Sequence, residues 1–160
     1  MKLTIDAVDL RQNAHRDALI HLLDIYAQDP MGGGQPLAAE VKARLCDDMA
    51  ERPTVASFIA WLDQAPVGLV NCVEGFSTFK SQPLMNIHDL VVLPGHRGMG
   101  IGQALMQAAQ SHAQARGCCK LTLEVLTGNE RALRSYEQFG FEPYTLDPAA
   151  GQASFMQKWL

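Results

Sequence analysis

NIHDLVVLPGHRGMGIGQALMQAAQSH, residues 86–112, contains a strand, a turn and a helix in one run. Leu90-Val91-Val92-Leu93 is an apolar run of strand length. Pro94-Gly95 stops it, because proline has no amide hydrogen to give to a ladder and the pair marks a turn. Arg97-Gly98-Met99-Gly100-Ile101-Gly102 follows. Ile101, Leu105, Ala108, Ala109 and His112 then recur at helical spacing. Glycines ahead of a helix let backbone N–H groups approach a ligand closely, and the helix N-terminus carries partial positive charge. This order of elements predicts an anion site, most naturally for a phosphate or pyrophosphate.

Two common phosphate motifs do not fit. A dinucleotide fingerprint needs G-x-G-x-x-G in a first βα unit, and here the spacing is G-x-G-x-G, with Gln103 where the last glycine would fall. A P-loop needs Lys-Ser/Thr after its second glycine, and Gly100 is followed by Ile101-Gly102. The stretch instead resembles the Arg/Gln-x-x-Gly-x-Gly/Ala signature of the GNAT superfamily of N-acetyltransferases, met by Arg97, Gly100 and Gly102. A glycine-rich helix start with no ligand is the competing reading of the hexapeptide alone.

The composition sets further bounds. The 160 residues suit one domain, expected to span 1–160. With 48% apolar and 19% charged residues the chain has an ordinary globular composition. A net charge of −4 without a Lys/Arg cluster argues against nucleic acid as a partner. The first residues, MKLTIDAVDLRQ, are too polar for a signal peptide, and no apolar run approaches the roughly 18 residues of a membrane span. The four cysteines form neither a disulfide framework nor a C-x-x-C pair. A reducing, cytoplasmic setting is expected. His15, His21, His96 and His112 show no ligand spacing, so no metal is expected.

From the N-terminus, residues 3–8 read as a strand. Asn13 is the expected cap of a helix with Ala18, Leu19, Leu22, Leu23 and Tyr26 on its apolar face. A second helix follows Pro36, with Leu37, Val41, Leu45 and Met49 on one stripe. The link 28–36 contains Gly32-Gly33-Gly34 and reads as a flexible connector, or as a loop that could close over a substrate. Residues 54–62 and 66–76 read as strands joined by Asp63-Gln64-Ala65. A further strand spans 85–93. The third helix runs to Arg116, with Gly117 as its C′ residue, and residues 120–126 form the next strand. Asn129 is the expected cap of a fourth helix, which ends at Gly140. Residues 141–146 and 153–160 read as two last strands around Asp147-Pro148. The sum is a mixed α/β sheet of about seven strands with about four helices.

Asn129-x-x-Ala132-x-x-x-Tyr136-x-x-x-Gly140-Phe141 resembles the second half of the GNAT pattern, N-x-x-A-x-x-x-Y-x-x-x-G-F, in the right order after the first. The resemblance implies a sheet with splayed central strands and acetyl-CoA as acyl donor. It implies that the backbone of Leu90, Val91 and Val92 pairs with the pantetheine arm. The amides of Gly98, Met99, Gly100, Ile101, Gly102 and Gln103 would hold the pyrophosphate. Arg97 would add a charge-assisted contact, or be a solvated arginine. Asn129 and Ala132 would face the pantetheine side, with a plain helix cap as the alternative for Asn129.

The chemistry can be argued separately. An amine must be neutral to attack a thioester. At a pKa of about 10.4, roughly one in a few thousand is neutral at pH 7. A base or a desolvating pocket must supply that form, the oxyanion needs an N–H, and the leaving thiolate needs a proton. The family pattern puts the acid at Tyr136; a core aromatic is the alternative. His88 and Asp89 are the leading base candidates. Adjacent strand residues face opposite ways, so only one of the two should reach the acceptor unless a bulge re-aims it. Glu124 is a third candidate and Glu74 a weaker one.

The expected reaction is transfer to a primary amine of a small molecule or peptide by direct attack in a ternary complex. Phe76-Ser77-Thr78 before Ile87-His88-Asp89-Leu90 resembles the diamine and polyamine acetyltransferase branch, except that His88 stands where that branch has a glutamate. A non-catalytic acyl-CoA-binding module is the alternative of a different class. The C-terminal strand could also pair between subunits of a homodimer.

Overall fold

A computed structural model describes residues 1–160. The chain forms two compact units, residues 1–123 and 124–160. The first is built on a five-stranded sheet of β1 (Leu3–Ala7), β2 (Val55–Leu62), β3 (Ala65–Ser77), β4 (Gln82–Val92) and β5 (Leu121–Leu123), in that spatial order. The first four strands are antiparallel neighbours, and β5 joins β4 in parallel. Between β2 and β3 the chain turns on two residues. Asp63 and Gln64 have φ of 47° and 72°, the left-handed pair that matches a tight hairpin to the twist of its strands.

Three helices flank this sheet: α1 (Asn13–Gln28), α2 (Ala39–Ala50) and α3 (Ile101–Ala115). The first core cluster joins Ala18, Leu19 and Leu22 of α1 and Cys46 of α2 to Ile59, Leu69 and Val91. Those three strand residues are cross-strand partners on one sheet face. On α3, Ile101, Leu105, Met106, Ala109 and Ala113 are buried, the stripe set by its helical period. Gly117 follows with φ of 73°, the left-handed conformation expected after a helix end. Asn13 does not cap α1. It is the first helical residue, Gln12 takes the cap position, and no side chain caps that end. Instead His15 Nδ1 accepts from the Asp9 amide at 2.9 Å, which fixes the approach to the helix.

Gly68 explains how close α3 comes to the sheet. A Cβ there would lie 3.0 Å from Leu105 Cδ1, 3.0 Å from the Val91 carbonyl oxygen and 3.2 Å from Ile101 Cγ2. One of those contacts is backbone and cannot rotate away. Gly68→Ala is therefore expected to destabilise the protein by about 1–3 kcal/mol, as overpacking does. Urea denaturation checks this, and an unchanged midpoint would mean the contact relaxes freely.

The second unit contains α4 (Glu130–Phe139). Asn129 caps it as expected, its Oδ1 accepting from the Ala132 amide at 3.3 Å. Gly140 closes it at φ of 112°. The two expected C-terminal strands are absent: residues 141–160 hold only a short 3-10 turn, Pro148–Ala150. β5 also stops at Leu123 instead of reaching 126. The sheet thus has five strands where the hydrophobic pattern suggested about seven. Pro143 and Pro148 each remove a ladder donor, and Ala149-Ala150-Gly151 has little strand preference. Leu146, Phe155, Met156 and Trp159 remain exposed instead of forming one buried face.

Candidate active site

Two irregularities meet on β4. The first is an opening. Pairing with β5 covers only Met85↔Leu121, Asn86↔Thr122 and Ile87↔Leu123. Beyond Ile87, residues Asp89, Leu90, Val91 and Val92 stay paired to β3 alone. The β5-side edge of β4 is therefore without a strand partner along Leu90, Val91 and Val92, and such an edge can take an extended ligand as an added strand. The second irregularity is a bulge. The register runs from Asn71↔Asp89 to Cys72↔Ile87 and leaves His88 with no residue opposite. A bulge bends its strand and re-aims side chains. The strict alternation that would have allowed only one of His88 and Asp89 to face an acceptor is broken between them. His88 is exposed and Asp89 half-buried.

Asp89 is held from the sheet interior. Its Oδ2 accepts from Asn71 Nδ2 at 3.0 Å, and Asn71 Oδ1 accepts from the Ser57 hydroxyl at 2.6 Å. Tyr26 of α1 feels this carboxylate. Burial raises the phenol's pKa, and the negative charges of Asp89 and Asp29 raise it further. Cys72 is pushed up to about 12 by burial, with Asp89 adding to the effect, so its thiol stays protonated.

The glycine-rich turn lies at the other end of the opening. Pro94–His96 makes a 3-10 turn, and Gly98 and Gly100 have φ of 79° and 77°, conformations that side-chain-bearing residues rarely adopt. The first α3 backbone bond runs from the Ala104 amide to the Gly100 carbonyl at 3.0 Å. The backbone donors ahead of Ala104, from Ile101 to Gln103, therefore point out of the helix end. A Cβ on Gly102 would lie 3.8 Å from Val92 Cγ2, which puts the first turn of α3 beside the open end of β4. The Ile101 side chain is core, so only its backbone is available to a ligand. Met99 is exposed. An extended arm along β4 and a diphosphate at α3 have groups here that could hold them.

Arg97 does something the sequence did not indicate. Its Nε donates to the Val92 carbonyl at 3.1 Å, and its NH2 group lies 3.4 Å from Asp29 Oδ2. It pins the end of β4 to the α1–α2 link. That link is no loose connector. Gly32 and Gly34 amides donate to the Asp29 carbonyl, Met31 donates to Asp29 Oδ1, and Gln35 donates to the Ala27 carbonyl. A Cβ on Gly32 would stand 1.9 Å from the Tyr26 carbonyl oxygen, so only glycine fits there. Asp24 closes the base of the link, accepting from the Leu37 amide and from Lys42 Nζ, both at 2.8 Å.

The remaining candidates lie elsewhere. Glu74 is ion-paired with Arg116, which holds its carboxyl below the usual range and leaves it poorly suited as a base. Glu124 is exposed and lies just past the last residue of β5. Phe76-Ser77-Thr78 sits at the tip of the β3–β4 hairpin, where Ser77 pairs with Gln82. That is roughly 20 Å along the strand from His88 at about 3.3 Å per residue. In the second unit Tyr136 is half-buried, with its ring edge-on to Phe141 at 6.0 Å. Asn129 acts as a cap and Ala132 as its donor. No group of three or more His, Cys, Asp or Glu side chains is placed to hold a metal ion. No helix is long and apolar enough to cross a membrane. Ser57, Asn71 and Asp29 were not singled out as site residues in the sequence, and Tyr26 was read only as part of a helix face. For the first two the signal was there: Ser57 is a polar residue in the apolar strand VASFIAWL, and Asn71 interrupts the apolar run of APVGLVNCVEGFS.

Comparison with known proteins bears on this geometry. The sequence pattern of the Acetyltransferase (GNAT) family matches residues 19–141, a span that runs through both units. A streptothricin acetyltransferase of Streptomyces lavendulae is 43% identical over 70 residues, 44% of this chain and 37% of that protein. A thialysine N-epsilon-acetyltransferase of Bos taurus is 30% identical over 112 residues, 65% of each. The chain thus spans less than two thirds of these curated relatives. The structure of an aminoglycoside N-acetyltransferase in complex with CoA superposes with a TM-score of 0.76 at 18% identity, covering 98% of this chain and 95% of that one. The mixed sheet flanked by helices, the opening along β4 and the matched motifs place this chain in the Acetyltransferase (GNAT) family.

Proposed function

We propose that the protein transfers the acetyl group of acetyl-CoA to a primary amine of a small molecule or peptide, by direct attack in a ternary complex. The observation that supports this reading most is the coincidence, on one strand, of an open edge, a bulge beside a carboxylate and a glycine-rich turn into α3. In this reading Leu90, Val91 and Val92 pair with the pantetheine arm. The turn from Gly98 to Gln103 receives the pyrophosphate. Arg97 orders the turn's approach while tied to Asp29. Asn129 and Ala132 line the pantetheine side, as the family pattern implies.

Asp89 attracts the acceptor ammonium, and His88 or Asp89, directly or through water, takes the proton that leaves before attack. The nitrogen then forms its bond to the acetyl carbon, the carbon–sulfur bond breaks as the sulfur takes a proton from Tyr136, and the phenolate recovers a proton as the nitrogen gives up its second one. A backbone N–H of the open strand near Val91 serves the oxyanion. The relatives' names mention thialysine and streptothricin, which supports small amines as the first acceptors to try. The four unbridged cysteines suit a reducing, cytoplasmic setting.

A thiol-release screen with acetyl-CoA and pooled primary amines, including thialysine and spermidine, tests the reading. Release dependent on a single amine supports it. Tight acetyl-CoA binding with no release against any pool favours an acyl-CoA-binding module instead. In Asp89→Asn, the acceptor KM is expected to rise about tenfold or kcat to fall as much, consistent with loss of a charge-assisted contact. Acetyl-CoA affinity should hold. Calorimetry and steady-state kinetics on the variant check this; a loss confined to acetyl-CoA would place Asp89 on the donor side.

A further inference from the structure

We propose that Asn71 and Ser57 are positioning residues for Asp89, a three-strand row that aims its carboxylate at the acceptor amine. This rests on the role given to Asp89 above. Ser57, Asn71 and Asp89 are successive cross-strand partners on β2, β3 and β4. They lie two residues from Ile59, Leu69 and Val91 in each strand, so they form the next row on the same face of the sheet. That neighbouring row is wholly apolar and packs on α1 and α2. Ser57 and Asn71 are 7% and 6% exposed, the only buried polar residues of the chain. An amide and a hydroxyl on such a face are unfavourable unless every polar atom is paired.

The pairing has one consistent direction. An ionised carboxylate only accepts hydrogen bonds, so the Asn71 NH2 must face Asp89. Asn71 Oδ1 then faces Ser57, and an amide oxygen cannot donate, so the Ser57 hydroxyl must. The distances of 3.0 and 2.6 Å fit those two bonds. The hydroxyl thereby fixes the amide, and the amide fixes one carboxylate oxygen. Asn71 also stands where the β3–β4 register shifts, beside the unpaired His88. The row thus anchors the strand just where the bulge would otherwise leave Asp89 free to rotate. A structural role alone would be met by small apolar residues at both sites; the row as built spends its donors on a partly exposed carboxylate.

The experiment has two arms on the full chain. In the first, the Asn71 side-chain amide is followed by NMR with 15N-labelled protein. The Nδ2 proton donated to Asp89 should exchange slowly with solvent in the native protein and at least about tenfold faster in Asp89→Ala, as protection by a hydrogen bond requires. Unchanged exchange in Asp89→Ala overturns the proposal, whether or not any amine is acetylated. In the second arm, kcat and KM for thialysine are measured in Ser57→Ala, Ser57→Thr and Asn71→Ala, each with and without Asp89→Asn. Ser57→Ala and Asn71→Ala should lower kcat/KM for the amine by about three- to thirtyfold with acetyl-CoA affinity unchanged, and should do nothing further once Asp89 is Asn. Ser57→Thr keeps the hydroxyl and should retain most of the activity. Equal losses in both backgrounds would show a general packing defect and overturn the positioning role. If the native protein acetylates no amine, the functional reading fails, while the amide exchange still decides whether the row holds Asp89.

Discussion

Replacing Gly100 by valine is expected to weaken acetyl-CoA binding by about 10- to 100-fold without unfolding the protein. Gly100 sits at φ of 77°, and a β-branched residue held there is strained by about 1–3 kcal/mol. The strain alone would act on stability, so a matched control is needed, and the same helix supplies it. Gly117, after the C-terminal end of α3, has φ of 73°, and a Cβ at either glycine meets nothing within 4 Å. Gly117→Val therefore imposes a similar backbone penalty at the end of the helix where no anion is expected. Both variants should melt at similarly lowered temperatures. Only Gly100→Val should lose affinity, because its side chain fills the space through which a diphosphate reaches the amides at the α3 N-terminus. Calorimetry with acetyl-CoA on the two folded variants decides the point. Equal affinities would remove the pyrophosphate from this turn and leave the glycines as a structural device for starting α3.

How far the sequence could be read depended on how local each feature is. The β2–β3 hairpin, the stop at Pro94, the cap at Asn129 and the close at Gly140 are each set by a few adjacent residues, and the structure has them. The splay of β4 from β5 was expected from the family resemblance alone; in the structure their pairing ends at Ile87↔Leu123, where β5 itself ends. What was not legible depends on distant partners. The bulge at His88 exists only in the register between β3 and β4, and nothing in Ile87-His88-Asp89 signals it. Asp29 and Arg97 are 68 residues apart, and each alone looks like a solvated charge. The link after α1 looked mobile because glycines permit many conformations. Gly32 is there for the opposite reason, since the Tyr26 carbonyl leaves no room for a side chain. The C-terminal strands failed for a related cause. Apolar residues at 153–160 suggested a strand, but a strand forms only with a partner, and residues 141–160 form no pairing of that kind.

In Tyr136→Phe, kcat is expected to fall by roughly 10²- to 10⁴-fold, the range for loss of a general acid when proton transfer limits the rate. The family pattern gives this position the donor to the leaving thiolate, and a phenol with a pKa of about 10 can supply that proton. The variant is selective because of how the ring is held. Tyr136 packs edge-on to Phe141 at 6.0 Å, and the Tyr136 carbonyl accepts from the Phe141 amide at 3.0 Å. Phenylalanine keeps both the ring contact and the backbone bond, so acetyl-CoA affinity should barely change and any change in melting temperature reports the hydroxyl alone. A core aromatic with no part in the chemistry predicts the reverse, normal turnover with any defect confined to stability. The two are separated by single-turnover kinetics with the amine found in the thiol-release screen, so that product release does not mask the step. A solvent isotope effect adds a second reading: if Tyr136 delivers the proton, it should change in Tyr136→Phe as water takes over the transfer. Full single-turnover rates in Tyr136→Phe would assign the ring to packing against Phe141 and leave the thiolate to depart unprotonated or to take its proton from water.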